Sequence, residues 1–219
     1  PLMRAMALAY PDDPRCARLN QQYMFGDALL VAPVAEEGRT VKDVYFPEGW
    51  WLPLFGGEVR EGGRMERVPA PLEEIPVFQK HDTAVAWNLP EDYALPGDVG
   101  NRVDGYVNLA FSLFLRERID ETFEDDLGSR VRIQAERTPD GARIRLSGPC
   151  AAPATVILRR VPQVREVTEA LDGAARPLRR HDDLRSLAPG GYALHDGDLY
   201  IKTDGRGGEW IVRFGADGT

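Results

Sequence analysis

Alternation of apolar and polar residues with a period of two is the dominant pattern of the chain, and it is cleanest in the second half. In Arg130 to Ala135, Val131, Ile133 and Ala135 face one way while Arg130, Arg132 and Gln134 face the other, the spacing of a strand with one wet face. Arg143 to Ser147 repeats the pattern after Pro139-Asp140-Gly141, which has the composition of a hairpin turn. Thr155 to Val161, Leu199 to Thr203 and Glu209 to Phe214 continue the series. Phe114 to Glu124 stays open between a helix and a strand.

The first half reads differently. Leu2 to Tyr10 is a nearly continuous apolar run stopped by Pro11-Asp12-Asp13-Pro14, which predicts a strand buried on both faces, as in a parallel barrel. A helix competes for the same run, because Ala, Leu and Met favour it. Ala28 to Val34 reads as a second buried strand, with Pro33 marking an edge or end. Val41 to Phe46, Trp50 to Phe55, Met65 to Val68 and Ile75 to Phe78 follow at short spacing with Gly or Pro at each break, the layout of a sandwich. Leu89 to Gly105 holds Pro90, Pro96, Gly97, Gly100 and Gly105 and reads as a linker or long loop.

Composition sharpens this picture. The chain has 219 residues, with 22 Gly and 17 Pro, so turns are frequent and an all-β chain is favoured over a helical bundle. A net charge of −8 argues against a nucleic-acid surface, which needs clustered Lys and Arg, and suits a neutral partner such as a sugar. No apolar run is long enough to span a bilayer as a helix. Cys16 and Cys150 lie far apart without metal-ligand spacing, and read as unpaired thiols of a reducing compartment, which points to the cytoplasm. The opening Pro1-Leu2-Met3-Arg4 reads as the inside of a larger structure, so export stays open.

Three stretches, taken in order, resemble the family 31 glycoside hydrolases. The first is Pro1 to Arg4 leading to Tyr10-Pro11-Asp12-Asp13; the second is Gln22 to Val34, QYMFGDALLVAPV; the third is Val44 to Phe78, with VYFPEGWW, GGE and PLEEIPVF. Glu209 to Phe214 after Gly207-Gly208 is similar to a closing strand of the family's distal domain. The resemblance implies two antiparallel β-sandwich domains, at 25–90 and 106–219, joined by a linker or long loop at 91–105. It also implies a remnant of the last strand of an α/β barrel at 1–24. After Phe78 the family's Gly-containing turn is replaced by Gln79-Lys80-His81-Asp82-Thr83, where Asp82 would have to take a positive φ.

The resemblance further implies that the parent protein is a retaining α-glycosidase, of α-glucosidase or α-xylosidase type, whose catalytic carboxylates lie upstream on the barrel. A retaining mechanism needs two carboxyl groups about 5–5.5 Å apart, so this chain by itself is expected to be silent, with no catalytic residue and no cofactor of its own. Its expected partners are the missing barrel and, through the parent, a carbohydrate; a homo-oligomer is compatible with the sequence. The alternatives are a carbohydrate-binding module and a purely structural or oligomerisation domain.

The remaining candidate residues have plain structural readings beside the functional ones. Asp12 and Asp13 read as a loop at the barrel mouth or as a turn whose carboxylates cap backbone amides. Glu36-Glu37 reads as a solvated hairpin tip. Glu124-Asp125-Asp126 reads as a Ca²⁺ ligand set or a solvated acidic turn. His81, His181 and His195 lack zinc spacing, and no serine has a nucleophile-elbow setting. Trp50, Trp51 and Trp210 are the candidate sugar-stacking faces, although adjacent strand residues point oppositely, so Trp50 and Trp51 cannot share one core. Arg4 is a charge on a buried strand that needs a partner, and reads as a structural ion pair near the barrel end.

Overall fold

The computed structural model describes residues 2–94, 107–124, 128–149, 153–171 and 174–215. The chain is all-β, as expected, and divides into two compact units, Pro1–Thr83 and Ala84–Thr219. The linker expected at 91–105 lies, from residue 95 onward, outside the described residues.

The first unit holds β1 (Met3–Ala5), α1 (Met6–Ala9), β2 (Tyr23–Phe25), β3 (Leu29–Val31), β4 (Val41–Phe46), β5 (Trp50–Pro53), β6 (Arg60–Glu61), β7 (Arg64–Pro69) and β8 (Val77–Lys80). One sheet runs β1-β2-β3-β8-β5-β6, and β4 pairs with β7 as a second, two-stranded sheet. Their inward residues, among them Met24, Leu30, Phe46, Trp51 and Phe78, form one core. Phe46 meets Phe78 edge-on at a centroid distance of 4.7 Å, a favoured aromatic geometry. The buried Gln22 amide extends the pairing of β4: it donates to the Tyr45 carbonyl at 2.7 Å and accepts from the Tyr45 N–H at 2.9 Å. A side chain here satisfies two buried backbone groups that no strand reaches.

The run Leu2 to Tyr10 does not form the strand buried on both faces. It splits into β1 and the single turn α1, and β1 pairs antiparallel with β2, Met3 opposite Phe25. Met6 is fully buried, whereas Leu2, Met3 and Leu8 are exposed. Helix preference of Met-Ala-Leu-Ala wins over the strand after only three residues. The turn after β8 survives the loss of glycine as anticipated, with Asp82 at φ +55° and its carboxylate 2.9 Å from His81 Nδ1.

The second unit holds β9 (Thr83–Leu89, which starts on the last residue of the first unit), β10 (Asn108–Phe114), β11 (Arg118–Glu124), β12 (Arg130–Thr138), β13 (Gly141–Ser147), β14 (Ala154–Leu158), β15 (Val164–Leu171), β16 (Ala174–Pro177), β17 (Arg179–His181), β18 (Gly191–His195), β19 (Asp198–Lys202) and β20 (Gly208–Phe214). Two six-stranded sheets, β17-β18-β19-β14-β10-β9 and β11-β12-β13-β20-β15-β16, enclose a core that includes Phe111, Ile133, Ile144, Val156 and Trp210. A second cluster, including Tyr93, Ala110, Ile157 and Tyr200, covers the other face of the first sheet. This is why every residue of β10 and β14 is buried. β10 pairs with β14, and β17 with β18, in parallel, whereas β14–β19, β18–β19 and every neighbouring pair of the other sheet run antiparallel. Phe114 to Glu124 is not helical; it spans the end of β10 and all of β11. The tight register of β11 against β12 overrides any local preference.

The outer face of the second sheet is polar and self-neutralising. Asp120 accepts from Arg132 Nε and Nη2, each at 2.7 Å, and from Gln134 Nε2 at 3.0 Å. Hydrogen bonding from Arg132, then from Gln134, lowers the Asp120 pKa to about 2. The pKa is depressed on folding, so the contribution of Asp120 is complete above the ordinary carboxyl value of about 3.9. It is lost as pH falls through about 2. An NMR titration should place the Asp120 carboxyl near that value, and Arg132→Ala should return it toward the ordinary range. An Asp120 midpoint unmoved by the substitution would contradict the assignment.

Candidate functional site

The loop after α1 builds one wall of a cleft in the first unit. The Tyr10 N–H closes α1 on the Met6 carbonyl at 2.9 Å, and the Cys16 N–H bonds the Asp13 carbonyl at 3.0 Å. Asp13 Oδ1 accepts from the Arg15 N–H at 3.0 Å, the local capping that Asp favours in turns. Its other oxygen accepts from the Tyr45 hydroxyl at 2.5 Å. The Tyr45 hydrogen bond holds the Asp13 carboxyl below the usual range, while burial and Asp13 push the Tyr45 phenol up. Arg15 Nη1 donates to the Gly63 carbonyl at 2.5 Å, and its guanidinium carbon sits 5.7 Å from the Tyr45 ring centroid. These bonds stitch the loop to β4 and to the segment before β7. The resulting cleft has a volume of about 570 Å³ and is lined by Tyr10, Pro11, Asp12, Pro14, Tyr45 and Glu48 among others.

Asp12 and Asp13, adjacent in sequence, therefore differ in state. Asp13 is committed to backbone and phenol; Asp12 is exposed on the cleft wall. Burial pushes the Tyr10 phenol well above its ordinary value and the Cys16 thiol up to about 11, so Cys16 is a packed thiol and a poor nucleophile. Cys150 lies outside the described residues, as do Asp125 and Asp126 of the acidic turn. Arg4 forms an ion pair with Asp27 and donates to the Gly26 carbonyl at 3.1 Å.

Two of the three candidate stacking faces are corrected. Trp51 is fully buried and Trp210 is 2% exposed. Trp51 Nε1 donates to the Pro47 carbonyl at 2.8 Å, and Gly208 lies against the Trp210 ring where a Cβ would collide. Neither indole can present a face to a sugar. Trp50, on the opposite side of β5, is half-buried. Among the described residues, no group of three or more His, Cys, Asp or Glu is placed to hold a metal ion.

Sequence reasoning missed an ion pair in the second unit. Arg159 Nε lies 2.7 Å from Asp198 Oδ2, with both side chains about nine-tenths buried, and Asp198 Oδ1 accepts from the Arg160 N–H at 2.7 Å. Nothing in the alternation marks it, because Asp198 takes the first position of an apolar strand. The displaced carboxyls Asp13, Asp43, Asp120 and Asp183 move down, chiefly through hydrogen bonds from Tyr45, Arg67, Arg132 and the Ser186 N–H, and Glu66 moves down too, burial being outweighed by hydrogen bonds from Arg60 and Arg64. That is the opposite of what a general acid held protonated requires. An apolar surface is also present: Leu2, Met3, Leu8 and Phe25 are exposed by 63, 58, 72 and 39%.

Comparison with known proteins gives four findings. Residues 1–85 match the glycosyl hydrolase family 31 C-terminal domain. The chain is 41% identical over 132 residues to an isomaltosyltransferase of Sporosarcina globispora, covering 60% of this chain and 12% of that protein. It is 37% identical over 86 residues to alpha-glucosidase 2 of Bacillus thermoamyloliquefaciens, covering 39% and 11%. Among solved structures, the cycloalternan-forming enzyme of Listeria monocytogenes, in complex with a pentasaccharide substrate, superposes with a TM-score of 0.86 at 30% identity over 98% of this chain and 20% of that one. The chain thus spans roughly a tenth of the curated relatives it matches.

Proposed function

We propose, from the premise that residues 1–85 are a glycosyl hydrolase family 31 C-terminal domain, that this chain is the C-terminal accessory region of a retaining α-glycosidase acting on terminal α-linked sugars, and that it is catalytically silent alone. The observation that carries this reading is the nature of the match: an all-β segment aligned along nearly its whole length with one fifth of a far longer enzyme. The chemistry supports it. A retaining site needs a carboxyl nucleophile and a carboxyl acid about 5–5.5 Å apart, the acid held protonated, whereas the displaced carboxyls named above are held ionised.

The accessory role is to brace the catalytic barrel. Leu2, just before β1, Met3 and Phe25, paired across β1 and β2, and Leu8 on α1 are exposed. Large apolar side chains exposed this close together in the fold are what an interaction surface offers, and the barrel is the partner proposed for them. The test is an assay of the purified 219-residue chain with aryl α-glucoside and α-xyloside. No turnover above buffer is expected, and turnover that co-purifies with the chain would overturn the reading.

A second reading concerns the acceptor. The isomaltosyltransferase match extends over 60% of the chain, against 39% for the α-glucosidase. On this reading the parent passes its glycosyl group to another sugar instead of to water. Incubating the parent enzyme with maltotriose separates the two: products longer than maltotriose support transfer, and glucose with maltose and no longer product supports hydrolysis.

A further inference from the structure

We infer that the cleft between the Tyr10–Arg15 loop and the turn after β4 is itself a carbohydrate-binding site, taking a short neutral oligosaccharide. The inference rests on the reading that the parent handles α-linked sugars, and it adds a site which that reading does not contain.

Three features support it. The cleft's volume of about 570 Å³ falls within the roughly 300–1,000 Å³ of small-molecule sites. Its apolar surface comes from Tyr10, Pro11 and Pro14, which offer ring and methylene faces to the C–H side of a pyranose. Its polar surface is divided in two. Asp13, Tyr45 and Arg15 are bonded to one another and to Gly63, so that wall is rigid before any ligand arrives, which lowers the entropic cost of binding. Asp12 and Glu48 are exposed and make no hydrogen bond or ion pair among the described residues. They remain available to accept from vicinal hydroxyls, and charge-assisted bonds of that kind are the strong ones.

The same features discriminate among ligands. An anion would meet the carboxylates of Asp12, Asp13 and Glu48, with the Arg15 guanidinium already turned to the Gly63 carbonyl. A divalent cation such as Ca²⁺ takes about six to eight oxygen ligands, and no set of three ligating side chains converges among the described residues. A neutral polyol with an apolar face fits both surfaces.

The experiment is an amide-NMR titration of the isotope-labelled 219-residue chain with maltotriose and isomaltotriose, and separately with calcium chloride. Saturable shifts are expected at the amides of Tyr10, Asp12, Asp13, Arg15, Glu48 and Gly49 with a millimolar dissociation constant. The double variant Asp12→Asn with Glu48→Gln should weaken binding about tenfold, or about 1.4 kcal/mol, with an otherwise native spectrum. Trp50→Ala should leave the affinity unchanged. No saturable response to either sugar, a response centred on Trp50, or a response to calcium alone would each overturn the inference. A blank sugar titration leaves the accessory role intact, whereas turnover by the isolated chain would remove that role and leave the cleft untouched.

Discussion

Asp198→Ala should destabilise the second unit by about 3–5 kcal/mol, the usual loss when one partner of a buried ion pair is removed. Arg159 would keep its charge in a site where its side chain is only 10% exposed, with Ser112 Oγ still 3.4 Å from Nη1. The Arg160 N–H would lose its carboxylate acceptor as well. Arg160 has a φ of +52°, a backbone state that costs a non-glycine residue about 1–3 kcal/mol and persists only where its surroundings impose it. Asp198→Asn keeps an acceptor for that N–H but removes the counter-charge, so its loss should be intermediate. Pairing Arg159→Met with Asp198→Asn removes the stranded charge and should recover part of the loss. Urea denaturation of the four proteins checks this order, and a loss below about 1 kcal/mol for Asp198→Ala would refute the account.

Trp51→Ala should cost the first unit about 3–5 kcal/mol, the range for deleting a large buried aromatic. The side chain is fully enclosed, packs at a centroid distance of 6.3 Å from Phe46, and donates from Nε1 to the Pro47 carbonyl at 2.8 Å. Its removal leaves a cavity and an unsatisfied acceptor together. Trp50→Ala, one residue away on the half-exposed side of β5, should cost under about 1 kcal/mol. Thermal melts of both variants check the contrast. Equal losses would mean that the strand alternation does not decide which indole supports the core.

The contrast also indicates what was legible beforehand. Where one face of a strand is wet, as in β12, β13 and β20, period-two alternation located the strand and its inward residues. Where both faces are covered, as in β10, NLAFSLF, alternation disappears, and the strand was only touched at its end by a segment left open between helix and strand. β15 and β16 carry too many exposed polar residues for the pattern to emerge. The two-residue Asp196-Gly197 loop between β18 and β19, with φ of +50° and +79°, is a favoured hairpin turn and was available to be read.

For the cleft, Pro-Asp-Asp-Pro announced a turn with a capping carboxylate, and Asp13 is that residue. The sequence could not show that Tyr45 would bond it, because that contact joins positions |i−j| = 32 apart. Trp210 illustrates the limit from the other side. An aromatic in an alternating strand is compatible with either face, and only the Ile144–Trp210 register and the bare Gly208 beside it decide that the ring points inward.

The parallel pairing of β10 with β14 constrains how the second unit assembles. Between these neighbours the chain makes β11, β12 and β13, an up-and-down meander belonging to the opposite sheet. Hairpins close short loops, whereas bringing Leu109 beside Ala154 closes a loop spanning the whole meander and costs more chain entropy. The meander is therefore the natural nucleus, and the sheet containing β10 and β14 condenses onto it late, giving this unit a high contact order and slow folding.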